Sequence, residues 1–294
     1  MSERNFMELL KARWAEGKFV CIGLDTEFGK IPECVSASSP SVFNKILTFN
    51  RMIVDATKGL VCAYKPNIAF YGAHGPEGLV ALRSTIDHIN RVAPEVPIIL
   101  DAKRADIGNT NAGYVESAFD YLNADAITVH PYLGMEAMKP FLDRANKGII
   151  VLCRTSNPGA GEFQDLEVQY LHVGNTTFEG TPLYEIIADR VASAWNHNGN
   201  CVVVVGATYP EELKRVRWIV GDLPILIPGI GAQGGDVEKT VKAGQDSRGR
   251  GMIINSSRGI IFASKGEDFA EAAHREAEKL HNLINQYRKE TVGS

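Results

Sequence analysis

Two acids and two lysines are placed so that they could share one site. Asp101 and Lys103 lie two residues apart in the run Asp101-Ala-Lys103-Arg-Ala-Asp106, and on an extended backbone that spacing sends both side chains to the same side. Lys65, in Tyr64-Lys65-Pro-Asn67, can join them if its strand is the neighbour. Alternating ammonium and carboxylate groups keep each acid ionised and each amine protonated, but burying such an array is costly. The plainer alternative is a rim salt bridge between Asp101 and Lys103, with Asp106 capping a helix that begins near Ile107. Lys65 beside the pair tips the reading toward a site. A second cluster joins Pro228-Gly-Ile-Gly231-Ala-Gln233-Gly-Gly-Asp236 to Ser256-Ser257-Arg258-Gly259. Gly-rich turns can offer backbone N–H groups to an anion, Arg258 a forked cation and Gln233 an amide donor. Glycine turns alone are weak evidence, but two of them with an arginine point to a phosphate monoester.

Both clusters must be held by something, and short β-branched apolar runs recur at the right places. Eight can be counted: Phe19–Leu24, Leu60–Tyr64, Ile98–Leu100, Ala126–Val129, Gly148–Leu152, Cys201–Val205, Ile225–Ile227 and Met252–Asn255. Amphipathic stretches lie between them at Val42–Ala56, Gly78–Val92, Thr110–Leu122, Met135–Ala145, Leu183–Trp195, Glu211–Val220 and Val237–Lys242, and Asp268–Tyr287 follows the last. Eight β-α units predict an α/β fold, a (β/α)8 TIM barrel with one domain over residues 1–294. In such a barrel the residues just past each strand share one rim. That places Asp25, Lys65, Asn67, Asp101, Lys103, His130, Thr155, Ser156, Gln233 and Arg258 together. Two additions are expected: an extra N-terminal helix and a long polar, Gly-rich segment, Asn157–Thr181, after strand 5. The latter reads as an active-site loop, with a flexible ornament as the alternative. The charged tail after Tyr287 is expected to fray.

Composition removes several classes. The formal charge of −4 over 294 residues gives no basic field for nucleic acid or anionic lipid. Five scattered cysteines without a Cys-x-x-Cys pair argue against a disulfide scaffold or zinc site and fit a reducing cytoplasm. Cys21, Cys62 and Cys201 read as inert strand thiols, and the histidines lack ligand spacing. The first 18 residues mix charges with apolar positions, unlike a signal peptide or a membrane span. Neither a Walker A motif nor Gly-x-Gly-x-x-Gly after strand 1 is present.

The run Asp101-Ala-Lys103-Arg-Ala-Asp106-Ile107 resembles the Asp-x-Lys-x-x-Asp-Ile/Val signature of the orotidine 5'-phosphate decarboxylases. Leu24-Asp25, Tyr64-Lys65-Pro-Asn67 and the two phosphate turns are similar to that family as well. The likeness spans all eight strands, and the length and Lys-Pro-Asn turn resemble its longer bacterial-type branch. Sister sugar-phosphate decarboxylases and hexulose-phosphate synthases share the strand 3 signature, but they use a metal and carry an acid where this chain has Lys65. An ammonium there would oppose Mg²⁺ rather than bind it. The resemblance implies conversion of orotidine 5'-monophosphate (OMP) to uridine 5'-monophosphate (UMP), the last step of UMP synthesis, with no cofactor and no metal. It implies a C6 carbanion favoured by preorganised electrostatics. Asp101 would face the substrate carboxylate, Lys103 would protonate C6 and Lys65 would anchor the array. Asp25 and Asn67 would meet the ribose, Thr155 and Ser156 the pyrimidine, and Gln233 and Arg258 the phosphate. Asp106, Ile107 and Thr110 would serve the neighbouring subunit of a homodimer.

Two other functions fit parts of the pattern. A Schiff-base aldolase would use Lys65 or Lys103, but flanking carboxylates raise a lysine's pKa instead of lowering it. A non-catalytic phosphonucleotide-binding barrel would keep Arg258 and Gln233 without needing the charged array.

Overall fold

The computed structural model describes residues 4–231 and 235–292. Eight parallel strands form one sheet: Val20–Leu24, Val61–Pro66, Ile99–Arg104, Ala126–Val129, Gly148–Arg154, Cys201–Val205, Ile225–Pro228 and Met252–Ser256, numbered 1 to 8 below. Strand 8 pairs with strand 1. Strands 2 and 3 are the ends of the sheet, and they meet through isolated bridges at Tyr64–Ile98 and Asn67–Asp101. The result is the nearly closed (β/α)8 barrel that the pattern predicts. Strands 1, 4, 6 and 8 are buried at every position, as parallel strands covered by helices must be.

The differences in strand length are systematic. The apolar runs read from the sequence stop at Tyr64, Leu100 and Leu152, whereas strands 2, 3 and 5 continue to Pro66, Arg104 and Arg154. Pairing persists past those runs, and the extensions carry Lys65, Asp101 and Lys103 to the rim. Two expected helices also end differently. Thr110–Leu122 becomes an α-helix Gly108–Val115 followed by π-turns over Glu116–Tyr121, and Leu183–Trp195 passes into π-turns at Val191–Trp195. Among the described residues no helix is long and apolar enough to cross a membrane.

The expected N-terminal helix, Phe6–Ala15, is capped by Asn5, whose side chain accepts the Glu8 N–H. It buries Phe6, Leu10 and Trp14 against the barrel. A Cβ on Gly148 would sit 2.4 Å from Phe6 Cδ1, so the start of strand 5 leaves room for this aromatic. Ahead of the helix Arg4 grips the buried Asp125 with Nε at 2.8 Å and Nη2 at 2.7 Å. Asp125 Oδ2 also accepts the Ile98 N–H at 2.9 Å. Asp125→Ala would strand that amide and release Arg4. The expected loss of stability is about 2–3 kcal/mol, seen as a lower urea midpoint with unchanged slope.

Asn157–Thr181 is not the irregular loop expected. It contains a 3-10 turn at Pro158–Ala160, a short helix Gly161–Gln164 and an antiparallel hairpin of Glu167–Val173 with Thr176–Pro182. Val173 pairs with Thr176 across Gly174-Asn175, and Gly174 has φ +61°, the geometry of a tight two-residue turn. Phe178 is the one apolar side chain of the hairpin that is fully buried. A hairpin with so little core shows no buried run, and its only sequence signal is the Gly-Asn turn.

Candidate active site

The C-terminal rim holds a cavity of about 440 Å³, lined among others by Asp25, Lys65, Asn67, Asp101, Lys103 and Arg258. Strand 2 delivers Lys65, whose Nζ donates to Asp101 Oδ2 at 2.8 Å. Strand 3 delivers Asp101 and Lys103, and Lys103 Nζ donates to Asp101 Oδ1 at 2.6 Å. Asp25, just past strand 1, brings Oδ1 to 4.0 Å from Lys65 Nζ. The result is a chain of charges, Asp25, Lys65, Asp101 and Lys103, in which signs alternate. Burial would push the Asp101 carboxyl up, but Lys65 and Lys103 outweigh it and hold the group well below the ordinary carboxylate range. Burial likewise disfavours the Lys65 ammonium, and Asp101 and Asp25 more than compensate, leaving its pKa above the usual value. Lys65 and Asp101 side chains are nearly sealed, whereas that of Lys103 is 50 % exposed and lines the cavity. A ligand entering the cavity therefore meets a cation whose counter-charge is already fixed behind it.

Lys103 sits in an uncommon backbone state, φ +47°, where a residue with a Cβ is strained. The strand 3 to strand 4 ladder passes from Leu100–Ile127 directly to Arg104–Val129. Asp101, Ala102 and Lys103 thus bulge out opposite a single residue. At strand 1 a Cβ on Gly23 would fall 1.8 Å from Ser257 Oγ, so this glycine is what lets the turn after strand 8 approach the array.

Other polar groups surround the charges. Asp25 Oδ1 and Asn255 Oδ1 are buried without a hydrogen-bond partner among the described residues, a state usually relieved by a ligand or water. Asn67 caps the helix Ile68–Gly72 by accepting the Ala69 N–H. Thr155 and Ser156 line the cavity after strand 5. Arg258 begins the short helix Arg258–Ile261 and is exposed at the cavity mouth. Gln233 lies outside the described residues.

Asp106, Ile107 and Thr110 are not among the residues lining this cavity. Asp106 Oδ1 accepts the Ile107 N–H, Ile107 is 63 % exposed and Thr110 is exposed. Cys21 and Cys201 are buried thiols whose pKa burial pushes up to about 12, which keeps them protonated.

Three contacts escaped the sequence reading. Gln164 Oε1 accepts the Thr155 N–H at 2.8 Å, and its Nε2 donates to Thr155 Oγ1 at 2.9 Å. Arg154, stacked on Tyr209, clamps Asp165. Both tie the insertion to the rim, and nothing in residue type or spacing foretells them. Thr128 Oγ1 donates to Asp101 Oδ1 at 2.9 Å. Its only signal is a hydroxyl within an otherwise apolar strand.

Comparison with known proteins agrees with this geometry. Residues 19–273 match the "Orotidine 5'-phosphate decarboxylase / HUMPS family". The chain is 46% identical over 284 residues to orotidine 5'-phosphate decarboxylase of Ralstonia pickettii, covering 96% of this chain and 99% of that one. It is 47% identical to the protein of the same name from Azoarcus sp., over 97% of this chain and all of that one. Among solved structures, Leishmania donovani OMP decarboxylase superposes with a TM-score of 0.77 at 36% identity, covering 95% of this chain and 98% of the other. With a matched segment spanning all eight barrel strands and relatives this similar over nearly their whole length, the chain belongs to the orotidine 5'-phosphate decarboxylase / HUMPS family.

Proposed function

We propose that this chain converts OMP to UMP and CO₂ without a cofactor. The observation that carries the reading is the Lys65–Asp101–Lys103 array, fixed by hydrogen bonds of 2.8 and 2.6 Å and opening through Lys103 into the cavity. The bond from C6 to the carboxylate breaks, CO₂ leaves, and the electron pair stays at C6 facing the Lys103 ammonium. Lys103 Nζ then gives its proton to C6. An ammonium held in place before the reaction stabilises that developing charge without reorganising. Asp101 holds Lys103 and faces the departing carboxylate, and Lys65 neutralises Asp101 from behind. The orphaned Oδ1 of Asp25 suits a ribose hydroxyl, with Asn67 beside it. Thr155, held by Gln164, and Ser156 meet the pyrimidine edge, while Arg258 and Gln233 take the phosphate.

The position of Asp106, Ile107 and Thr110 outside their own chain's cavity supports a homodimer in which they reach the partner's site. Ile107 and Leu133 precede two helices that pack on each other, Gly108–Val115 and Gly134–Leu142. Tyr132, Leu133 and Met135, at the start of the second of these helices, are exposed, apolar surface of the kind a second copy covers.

Loss of the OMP ultraviolet band on incubation with the purified protein tests the reaction. Lys65 at the metal-ligand position of the sister enzymes implies that the rate survives exhaustive EDTA treatment. Abolition by EDTA with rescue by Mg²⁺ would instead place the chain among the metal-dependent sugar-phosphate enzymes of the family.

A further inference from the structure

We propose that Thr128 is a positioning residue for the reaction, its single hydroxyl setting both the carboxylate of Asp101 and the backbone of Lys103. The proposal rests on the decarboxylase reading above and adds to it a residue outside the charged array.

The strand 3 bulge creates the need. Residues 101–103 face one residue of strand 4, because the register steps from Leu100–Ile127 to Arg104–Val129. A bulge of this kind removes the main-chain acceptors that a regular ladder would offer. Thr128, the residue opposite, supplies the replacement from its side chain. Its Oγ1 accepts the Ala102 N–H at 3.0 Å and the Lys103 N–H at 3.0 Å. It donates to Asp101 Oδ1 at 2.9 Å. A hydroxyl has two lone pairs and one proton, so both acceptor sites are taken by the amides and the proton can go only to the carboxylate. Direction and occupancy are both fixed.

Thr128 is 2% exposed at the cavity wall, and its hydroxyl is committed to these three partners. One atom therefore touches both ends of the catalytic lysine: its N–H directly, and its ammonium through the carboxylate oxygen that Lys103 Nζ grips at 2.6 Å. The left-handed φ of +47° at Lys103 needs such an outside hold, since an unsupported residue with a Cβ leaves that region. The ribose, pyrimidine and phosphate groups assigned above have no hydrogen bond to Thr128. Its loss should therefore disturb the alignment of charges and leave the grip on nucleotide intact.

The test compares Thr128→Val, which keeps shape and removes all three bonds, with Thr128→Ser, which keeps the hydroxyl. Thr128→Val is expected to lower kcat for OMP on the order of 10²-fold, the scale of a catalytic group misplaced by an ångström, with UMP affinity within about threefold of wild type. Thr128→Ser should return kcat to within about threefold of wild type. If the valine variant does not fold, Thr128→Cys replaces it, because a thiol fills the space but is a weak donor and acceptor; a marked drop in kcat is again expected. The proposal is overturned if the valine or cysteine variant turns over at the wild-type rate, if UMP affinity falls in step with kcat, or if the serine variant is as slow as the valine one. A wild-type protein inert toward OMP would remove the decarboxylase reading and this proposal with it, and a fully active Lys103→Ala would remove the role of Lys103 on which this proposal stands. A working wild type and an inactive Lys103→Ala beside an unimpaired Thr128→Val would remove this proposal alone.

Discussion

Lys103→Ala should lower turnover of OMP by at least the order of 10⁴-fold, since in the proposed mechanism it deletes both the cation facing C6 and the proton donor. Neither contribution exists in the ground state to the same degree, so the loss should fall on kcat. UMP affinity should change by less than about tenfold, because the proposed phosphate and ribose contacts belong to other strands. The fold should tolerate the change. The Lys103 side chain is half exposed, and alanine meets the same backbone strain at φ +47° that lysine does, as both carry a Cβ. Asp101 keeps Lys65 and Thr128 as donors. A variant whose UMP affinity and turnover decline together would show that Lys103 only binds, and the proposed proton transfer would have to be abandoned.

Mixing two inactive homodimers should restore activity. In one chain Asp106, Ile107 and Thr110 lie outside the cavity that holds Lys103, and the dimer proposal sends them to the neighbour's site. Lys103→Ala and Asp106→Ala homodimers should then each be nearly inactive. After subunit exchange, a mixed dimer has one site bearing both lesions and one built from intact Lys103 and intact Asp106. Random exchange at equal amounts makes about half the dimers mixed, each with one good site of two, so activity should approach roughly a quarter of the wild-type value per site. Were both residues to act within one chain, every site would be damaged. Absence of recovery after exchange is verified by mass would rule out shared sites.

The barrel was readable because its strands are buried on both faces, and such strands leave apolar runs that survive without any tertiary information. Cys201–Val205 was read with its observed bounds for that reason. Strand 3 was cut short at Leu100 because its apolar run ends there, whereas the strand continues through the charged Asp101 and Lys103 to Arg104. The charged array itself was legible from spacing, since alternation along an extended chain places Asp101 and Lys103 on one side and Lys65 on the next strand. The bulge that re-aims Lys103 was not, because the hydroxyl that its amides meet lies on strand 4, 25 residues away. The hairpin Glu167–Pro182 was missed on the opposite ground. Its strands are mostly exposed, so burial left no imprint, and only Gly174-Asn175 marked the turn. Gln164 and Asp165 depend on how that insertion folds back, which no local pattern records.

The weakest join in the cylinder coincides with its charges. Strands 2 and 3 meet through two isolated bridges, while every other neighbouring pair has at least two successive residues in register. Lys65 stands on one side of that seam and Asp101 on the other, joined by a buried bond of 2.8 Å. Attraction between them acts as a rivet where main-chain stitching is sparse. A motion that parts the seam works against this bond as well, so the mechanical closure of the barrel is tied to the electrostatic readiness of the site.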